Sequence, residues 1–397
     1  MDAPGKIILF ANTDWYLYNF RRSLARALRD AGHEVLLISP QGEYGPKLRA
    51  DGFRWQAVPM QRRSLNPLRE AMLLQYLCRL FRRERPALVH GFTIKCAVYG
   101  SLAARVARVP ACVNAVAGMG YVFTSSSLHA RALRPLVRSL LRVSLDGKNA
   151  RLILQNPDDV AWFSRTALVQ AERMRLIRGS GVDCARFAQR SPRREGALRV
   201  LLAARLLWDK GIAEYVEAAR ILRARGRMIR FLLAGSPDPG NPAAVPESML
   251  REWISAGLLE WLGHVDDMAG LFAQVDAVVL PSYREGLPKS LIEAAACGLP
   301  LITTDVPGCR EVVTDNIDGL LIPPRDADAL ADAIARLQDD PQLAQRLGEA
   351  ARAKALAEFD ERIVIRKTLE VYRELCALPA AAASVSRVHV HAHPHNS

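Results

Sequence analysis

Four charged residues have the types and spacing to hold a phosphorylated ligand. Glu285 and Glu293 stand eight residues apart in the stretch from Pro281 to Gly298, which carries Glu285-Gly286-Leu287-Pro288-Lys289-Ser290-Leu291-Ile292-Glu293. Arg205 and Lys210 stand five apart in Leu201-Leu202-Ala203-Ala204-Arg205-Leu206-Leu207-Trp208-Asp209-Lys210-Gly211. A cation at a strand's carboxyl end and another at the start of the next helix converge on one spot. There the helix dipole and both charges suit a diphosphate. Gly286 lets backbone approach a ligand closely, and the helix after it offers free N–H groups to an anion. On spacing alone, each pair also reads as ordinary solvated charge on a β–α turn. The second pair lacks the G-x-x-x-x-G-K-[ST] form of a nucleotide triphosphate loop, which argues against ATPase chemistry.

The elements that must position these residues are legible. Ala277-Val278-Val279-Leu280 reads as a buried parallel strand. Pro288 in the first helical turn and Gly298 as a stop bound a short Ala-rich helix. Strand-like runs alternate with helix-length amphipathic segments throughout, the pattern of a doubly wound α/β architecture. Strands are expected over 6–11, 34–39, 53–58, 87–92, 111–117 and 151–155. The pattern breaks at the polar Ser191-Pro192-Arg193-Arg194-Glu195-Gly196 and restarts with strands near 198–205, 229–235, 259–265, 276–282, 300–304 and 319–323. A helix is expected over 17–31, with Leu17, Phe20, Leu24 and Leu28 on one face. Two Rossmann-like domains follow, at 1–190 and 196–360, then a terminal helix over 361–376 packing back towards the first domain. Ile363, Ile365, Leu369, Val371 and Tyr372 are its apolar positions. Residues 377–397, with His389, His391, His393 and His395 alternating, read as a disordered tail.

A chain of 397 residues is long enough for two full cores, and it contains no run of about 18 apolar residues that would span a membrane. It opens into a strand without a signal-peptide pattern. Its seven cysteines lack C-x-x-C spacing, which argues against a zinc site or a disulfide framework and suits a reducing cytoplasm. The net charge of +13 is unevenly placed: 30 Lys and Arg face 13 Asp and Glu in residues 1–190, against 24 and 28 in the remainder. The first half therefore faces an anionic surface or ligand.

Taken in order, Arg205-x4-Lys210, the turn Ala234-Gly235-Ser236, Leu262-Gly263-His264-Val265 and Glu285-x7-Glu293 resemble the retaining glycosyltransferases of family 4, which have the GT-B fold. The runs from Glu285 to Glu293 and Thr304-Asp305-Val306-Pro307-Gly308-Cys309-Arg310-Glu311 resemble the bacterial branch that extends sugars on undecaprenyl diphosphate, such as the N-acetylgalactosaminyltransferases of glycan and O-antigen assembly. The resemblance implies that Arg205 and Lys210 neutralise the leaving diphosphate of a UDP-sugar. Glu285 would lie under the donor sugar with the Gly286 and Leu287 backbone, and Glu293 would bind the ribose. Gly235 and the backbone near His264 and Val265 would line the nucleotide pocket. It implies no metal or other cofactor.

The first half would bind the acceptor, a polyprenyl-diphosphate-linked saccharide. Many family members carry a histidine where this chain has Ala117-Gly118-Met119-Gly120. Asp14, His90, Lys95 and Gly118 are the acceptor candidates here, with a buried structural role equally open for His90. Between His129 and Arg142, arginines recur every three or four residues among leucines, a basic amphipathic pattern. Such a helix can lie on an anionic bilayer, gaining about 1 kcal/mol per basic side chain, or pack its leucines on a sheet. The expectation is a cytoplasmic enzyme, peripheral at the inner face of the membrane. Alternatives are a UDP-sugar 2-epimerase, a non-catalytic sugar-nucleotide binder and a nucleic-acid binder; the last lacks a recognition motif, so no nucleic-acid partner is expected.

Overall fold

The computed structural model describes residues 5–61, 64, 66–116, 139–189, 196–238 and 241–376. Gly118, the basic run from His129 to Arg138 and the histidines of the tail lie outside them.

Two parallel sheets organise these residues. The first contains β1 (Lys6–Phe10), β2 (Glu34–Ser39), β3 (Arg54–Ala57), β4 (Leu88–Phe92), β5 (Ala111–Val116), β6 (Ala150–Leu154) and β7 (Met174–Leu176), in the order β3-β2-β1-β4-β5-β6-β7. The second contains β8 (Leu198–Ala203), β9 (Ile229–Ala234), β10 (Glu260–Trp261), β11 (Ala277–Leu280), β12 (Leu301–Thr304) and β13 (Leu320–Ile322), in the order β10-β9-β8-β11-β12-β13. Each order reverses once, between β1 and β4 and between β8 and β11. Such reversals open a crevice at the carboxyl edge of an open α/β sheet.

The strands are apolar almost without interruption because helices cover both faces. Alternate residues enter different cores: Ile7 and Leu9 join one beneath the first sheet, Ile8 and Phe10 the other. In the second sheet, Val200 and Leu202 face one core while Leu201 and Ala203 face its opposite. The cysteines are unpaired, and six of the seven are buried.

Several elements differ from the sequence expectation. Strand β7 was not foreseen, since Met-Arg-Leu at a sheet edge is too short to show a period. The expected helix over 17–31 begins at Asp14 and passes through a π-helical turn, Leu17–Arg21, before the regular helix Arg22–Asp30. Leu17, Leu24 and Leu28 are buried as expected, whereas Phe20 is only partly covered. The helix near Glu293 spans Lys289–Ala296, with Pro288 as its N-cap residue in extended conformation rather than within the first turn.

The last helix, Glu361–Leu375, lies against the first sheet. It buries Val364, Thr368, Val371 and Tyr372, a face rotated from the expected one. Glu374 ties it to Arg151 and Arg175, and Glu361 accepts from Ser23 Oγ at 2.5 Å. The chain crosses between the units earlier than residue 190: Val182, Cys184 and Phe187 already share a core with Leu201, Leu280 and Phe359. Val182 N–H donates to Phe359 O at 3.0 Å, so the outgoing and returning segments are paired.

Candidate active site

At the crevice of the second sheet, backbone packing joins the segments that follow β8 and β11. After β8, Ala204 to Leu207 lead into a tight turn, Trp208–Lys210, and then the helix Ile212–Ala224. Gly211 between them has φ +73°, and a Cβ there would stand 2.0 Å from Pro281 O. Only glycine lets this turn press so closely on the segment after β11. Ser282 Oγ and Tyr283 N–H both donate to Asp209 O, at 3.0 and 2.9 Å. Tyr283 Oη donates to Glu214 at 2.7 Å; burial first, then that carboxylate, pushes the phenol up to about 12.

This packing sets Lys210 Nζ 2.5 Å from Glu285 Oε1, with 14 and 13% of the two side chains exposed. Gly308, at φ +83°, supports the loop from behind: a Cβ there would meet Glu285 O at 2.5 Å, and Glu285 N–H donates to Pro307 O. A largely buried ammonium and carboxylate so placed can serve an anionic leaving group and hydroxyl donors respectively.

Arg205 does not join this pair. Its half-exposed guanidinium instead bonds Asp238 at 3.1 Å. Glu293 lies one turn into its helix, and burial raises its carboxyl while Lys289, 3.4 Å away, opposes the shift. Lys289 also reaches the first unit, donating to Asn19 O at 2.9 Å and standing 5.0 Å from the centre of the Phe20 ring. Gly235 lies at the carboxyl edge, where a Cβ would stand 1.9 Å from Ala204 O; its N–H donates to Gly263 O. His264 is half exposed beside Asp266, while Val265 packs on the core with Leu287.

The acceptor candidates have mainly structural surroundings. Asp14 is buried, and its carboxylate accepts from the N–H groups of Trp15, Tyr44 and Gly45, each at 2.8 Å. It ties the start of its own helix to the first turn of the helix Tyr44–Ala50 and has little capacity left for an acceptor. Lys95 is equally occupied, by Gln61 O, Ser64 O and Glu70. His90 is buried with Nδ1 2.6 Å from Tyr372 Oη; burial, then the nearby Arg21 charge, holds it well below the ordinary histidine range. Its Nε2 has no partner among the described residues.

Two site-adjacent residues escaped the sequence reading. Asn156 Nδ2 donates to Gly286 O at 3.0 Å, and Asp159 accepts from Arg284 at 3.0 Å, both from the first unit. The signal was Asn156-Pro157-Asp158-Asp159 directly after a strand, a helix-capping pattern at the carboxyl edge. Among the described residues, no group of three or more His, Cys, Asp or Glu is arranged to hold a metal ion.

Comparison with known proteins gives this geometry a family. Residues 6–156 match the family Glycosyl transferase 4-like, and residues 185–354 match Glycosyl transferases group 1. The chain is 30% identical over 368 residues, 90% of its length and 95% of the relative's, to the N,N'-diacetylbacillosaminyl-diphospho-undecaprenol alpha-1,3-N-acetylgalactosaminyltransferase of Campylobacter jejuni. It is 26% identical over 305 residues, 74% of this chain and 77% of the relative, to the UDP-Gal:alpha-D-GlcNAc-diphosphoundecaprenol alpha-1,3-galactosyltransferase of Escherichia coli. Among solved structures, HepE of Anabaena in complex with UDP-glucose matches with a TM-score of 0.75 at 20% identity, over 94% of this chain and all of its own. A glycosyltransferase from Rickettsia africae matches with a TM-score of 0.75 at 19% identity, over 94 and 98% of the two chains. Two parallel α/β units meeting at a crevice are thus the GT-B architecture of a glycosyltransferase. The chain belongs to the family-4-like, group 1 glycosyltransferases, as its motifs suggested.

Proposed function

We propose that this enzyme moves a sugar, an N-acetylhexosamine by analogy with its Campylobacter jejuni relative, from a UDP-sugar to an undecaprenyl-diphosphate-linked saccharide in cell-surface glycan assembly. The observation that carries this reading is the Lys210–Glu285 pair at the reversal between β8 and β11. The donor's diphosphate takes over Lys210, releasing Glu285 to accept hydrogen bonds from the sugar hydroxyls. Arg205 swings from Asp238 to the same diphosphate. Glu293 receives the ribose hydroxyls, Gly286 and Leu287 offer backbone groups to the sugar, and Gly235 with the His264–Val265 backbone lines the base pocket.

As the anomeric C–O bond breaks, charge gathers on the departing phosphate oxygen, where fixed cations stabilise it most. No metal is required in this reading. The acceptor hydroxyl attacks the oxocarbenium-like carbon from the face the diphosphate leaves, and its proton passes to the departing phosphate, so configuration is retained. The acceptor's lipid end keeps the basic first half at the anionic inner face of the membrane. Among the described residues no helix is long and apolar enough to cross a bilayer. NMR of the anomeric proton in the isolated product tests the stereochemical claim: an α-linkage from an α-linked donor supports it, and a β-linkage overturns it.

A further inference from the structure

Glu285 belongs to the second unit, yet both its chain neighbours are attached to the first, Arg284 through its side chain and Gly286 through its carbonyl. The attachment comes from the opening turn of the helix Pro157–Arg165, which follows β6. Asn156 caps that helix, its Oδ1 accepting from Asp159 N–H at 2.8 Å. Its Nδ2 donates to Asp159 Oδ2 at 3.1 Å and, across the crevice, to Gly286 O at 3.0 Å. The other carboxylate oxygen of Asp159 accepts from Arg284 Nη at 3.0 Å. Asn156 and Asp159 are buried, at 0 and 2% exposure. A third contact extends the seam, since a Cβ on Gly179 would stand 2.7 Å from Leu287 Cδ2.

Burying a carboxylate costs several kcal/mol unless its partner and hydrogen bonds are well placed. An ordinary helix cap needs no such charge facing another unit. Here the helix start does two things at once. It satisfies its own N–H groups through Asn156, and it spends its remaining polar atoms on Arg284 and Gly286, the two neighbours of Glu285.

We propose that Asn156 and Asp159 are positioning residues for transfer: a clip that holds the Glu285 loop in register when the two units are together. The role rests on the reading of Glu285 as the group beneath the donor sugar. The nucleotide end of the donor lies on the second unit alone and does not depend on the clip. The sugar end does, and misplacing a reacting group by about 1 Å can cost on the order of 10²-fold in rate.

The test uses the full chain with Asn156→Ala, Asp159→Ala, Arg284→Ala and the Asp159→Ala/Arg284→Ala double variant. Transfer kcat is expected to fall at least about tenfold in each single variant, while the Kd for UDP stays within about threefold of wild type. The double variant is expected to be no worse than the poorer single, because both remove one interaction. Asp159→Asn, which keeps an acceptor for Arg284, is expected to recover part of the loss.

In ligand-free protein, hydrogen exchange at the Glu285 amide is expected to quicken in the variants while amides of β8 and β11 keep their protection. Unchanged exchange at Glu285, additive losses in the double variant, or a fall in sheet protection matching the fall in rate would each overturn the clip. Absence of transfer by the wild-type enzyme would count against the proposed function instead, and the exchange result would still decide the clip.

Discussion

Lys210 Nζ and Glu285 Oε1 meet at 2.5 Å where the second sheet reverses, so the cation we propose for a diphosphate and the carboxylate we propose for a sugar neutralise each other in the free enzyme. In the proposed function the donor parts them. Lys210→Met leaves Glu285 largely buried with no counter-charge and should lower stability by about 1.5–3 kcal/mol, the scale of a charge-assisted hydrogen bond. It should lower transfer by about 10²–10³-fold, the scale of one lost leaving-group contact. Adding Glu285→Gln should restore much of the stability and none of the transfer. Urea melts alongside kcat measurements check both halves.

Arg205 presents the opposite case. It is half exposed, and its ion pair among the described residues is with Asp238. Such pairs contribute about 0–1 kcal/mol, so Arg205→Ala should leave the melting temperature nearly unchanged. Its transfer rate should nevertheless fall sharply, because in the proposed function Arg205 acts on the bound donor. Asp238→Ala should release the guanidinium and tighten UDP-sugar binding, read by calorimetry.

Asp14 should prove structural. Three backbone N–H groups from the opening turns of two helices end on its buried carboxylate. Asp14→Ala strands those donors and should destabilise by about 1–3 kcal/mol. The KM for the lipid-linked acceptor, measured below the melting transition, should change little.

His90 supplies a pH dependence. Burial, then Arg21, lowers its folded pKa below the ordinary 6.5. The unfolded chain therefore takes up the proton first, and the stability from keeping His90 neutral is present above about 6.5 and lost as pH falls through it towards the folded value. His90→Gln should remove this share, so the stability difference between wild type and variant should shrink on acidification from pH 7.5 to 5. A difference that does not vary with pH would contradict the assignment.

The central strands of both sheets were legible because each is an apolar run between turn residues, with helices on both faces leaving no polar alternation to confuse it, whereas the short edge strand β7 was not. That Glu285 and Lys210 share one crevice was legible because each stands where a strand hands over to a helix. Arg205 was placed beside Lys210 on the same grounds, but which way a side chain leaves a turn depends on contacts such as Asp238, 33 residues away. Asp14 looked available because a sequence does not reveal that three amides already claim its carboxylate. Asn156 and Asp159 escaped for a similar reason: their partners, Gly286 and Arg284, are more than 120 residues away in another unit.

The central claim is that the crevice between β8 and β11 holds a UDP-sugar for transfer. Its most direct test is a panel of UDP-sugars offered with undecaprenyl-diphosphate-linked saccharides to wild type, Glu285→Ala and Arg205→Ala. The account predicts a lipid-linked product from one donor that disappears in both variants. Clear UDP-sugar binding without turnover of any donor, or full activity in the Glu285 variant, would contradict it.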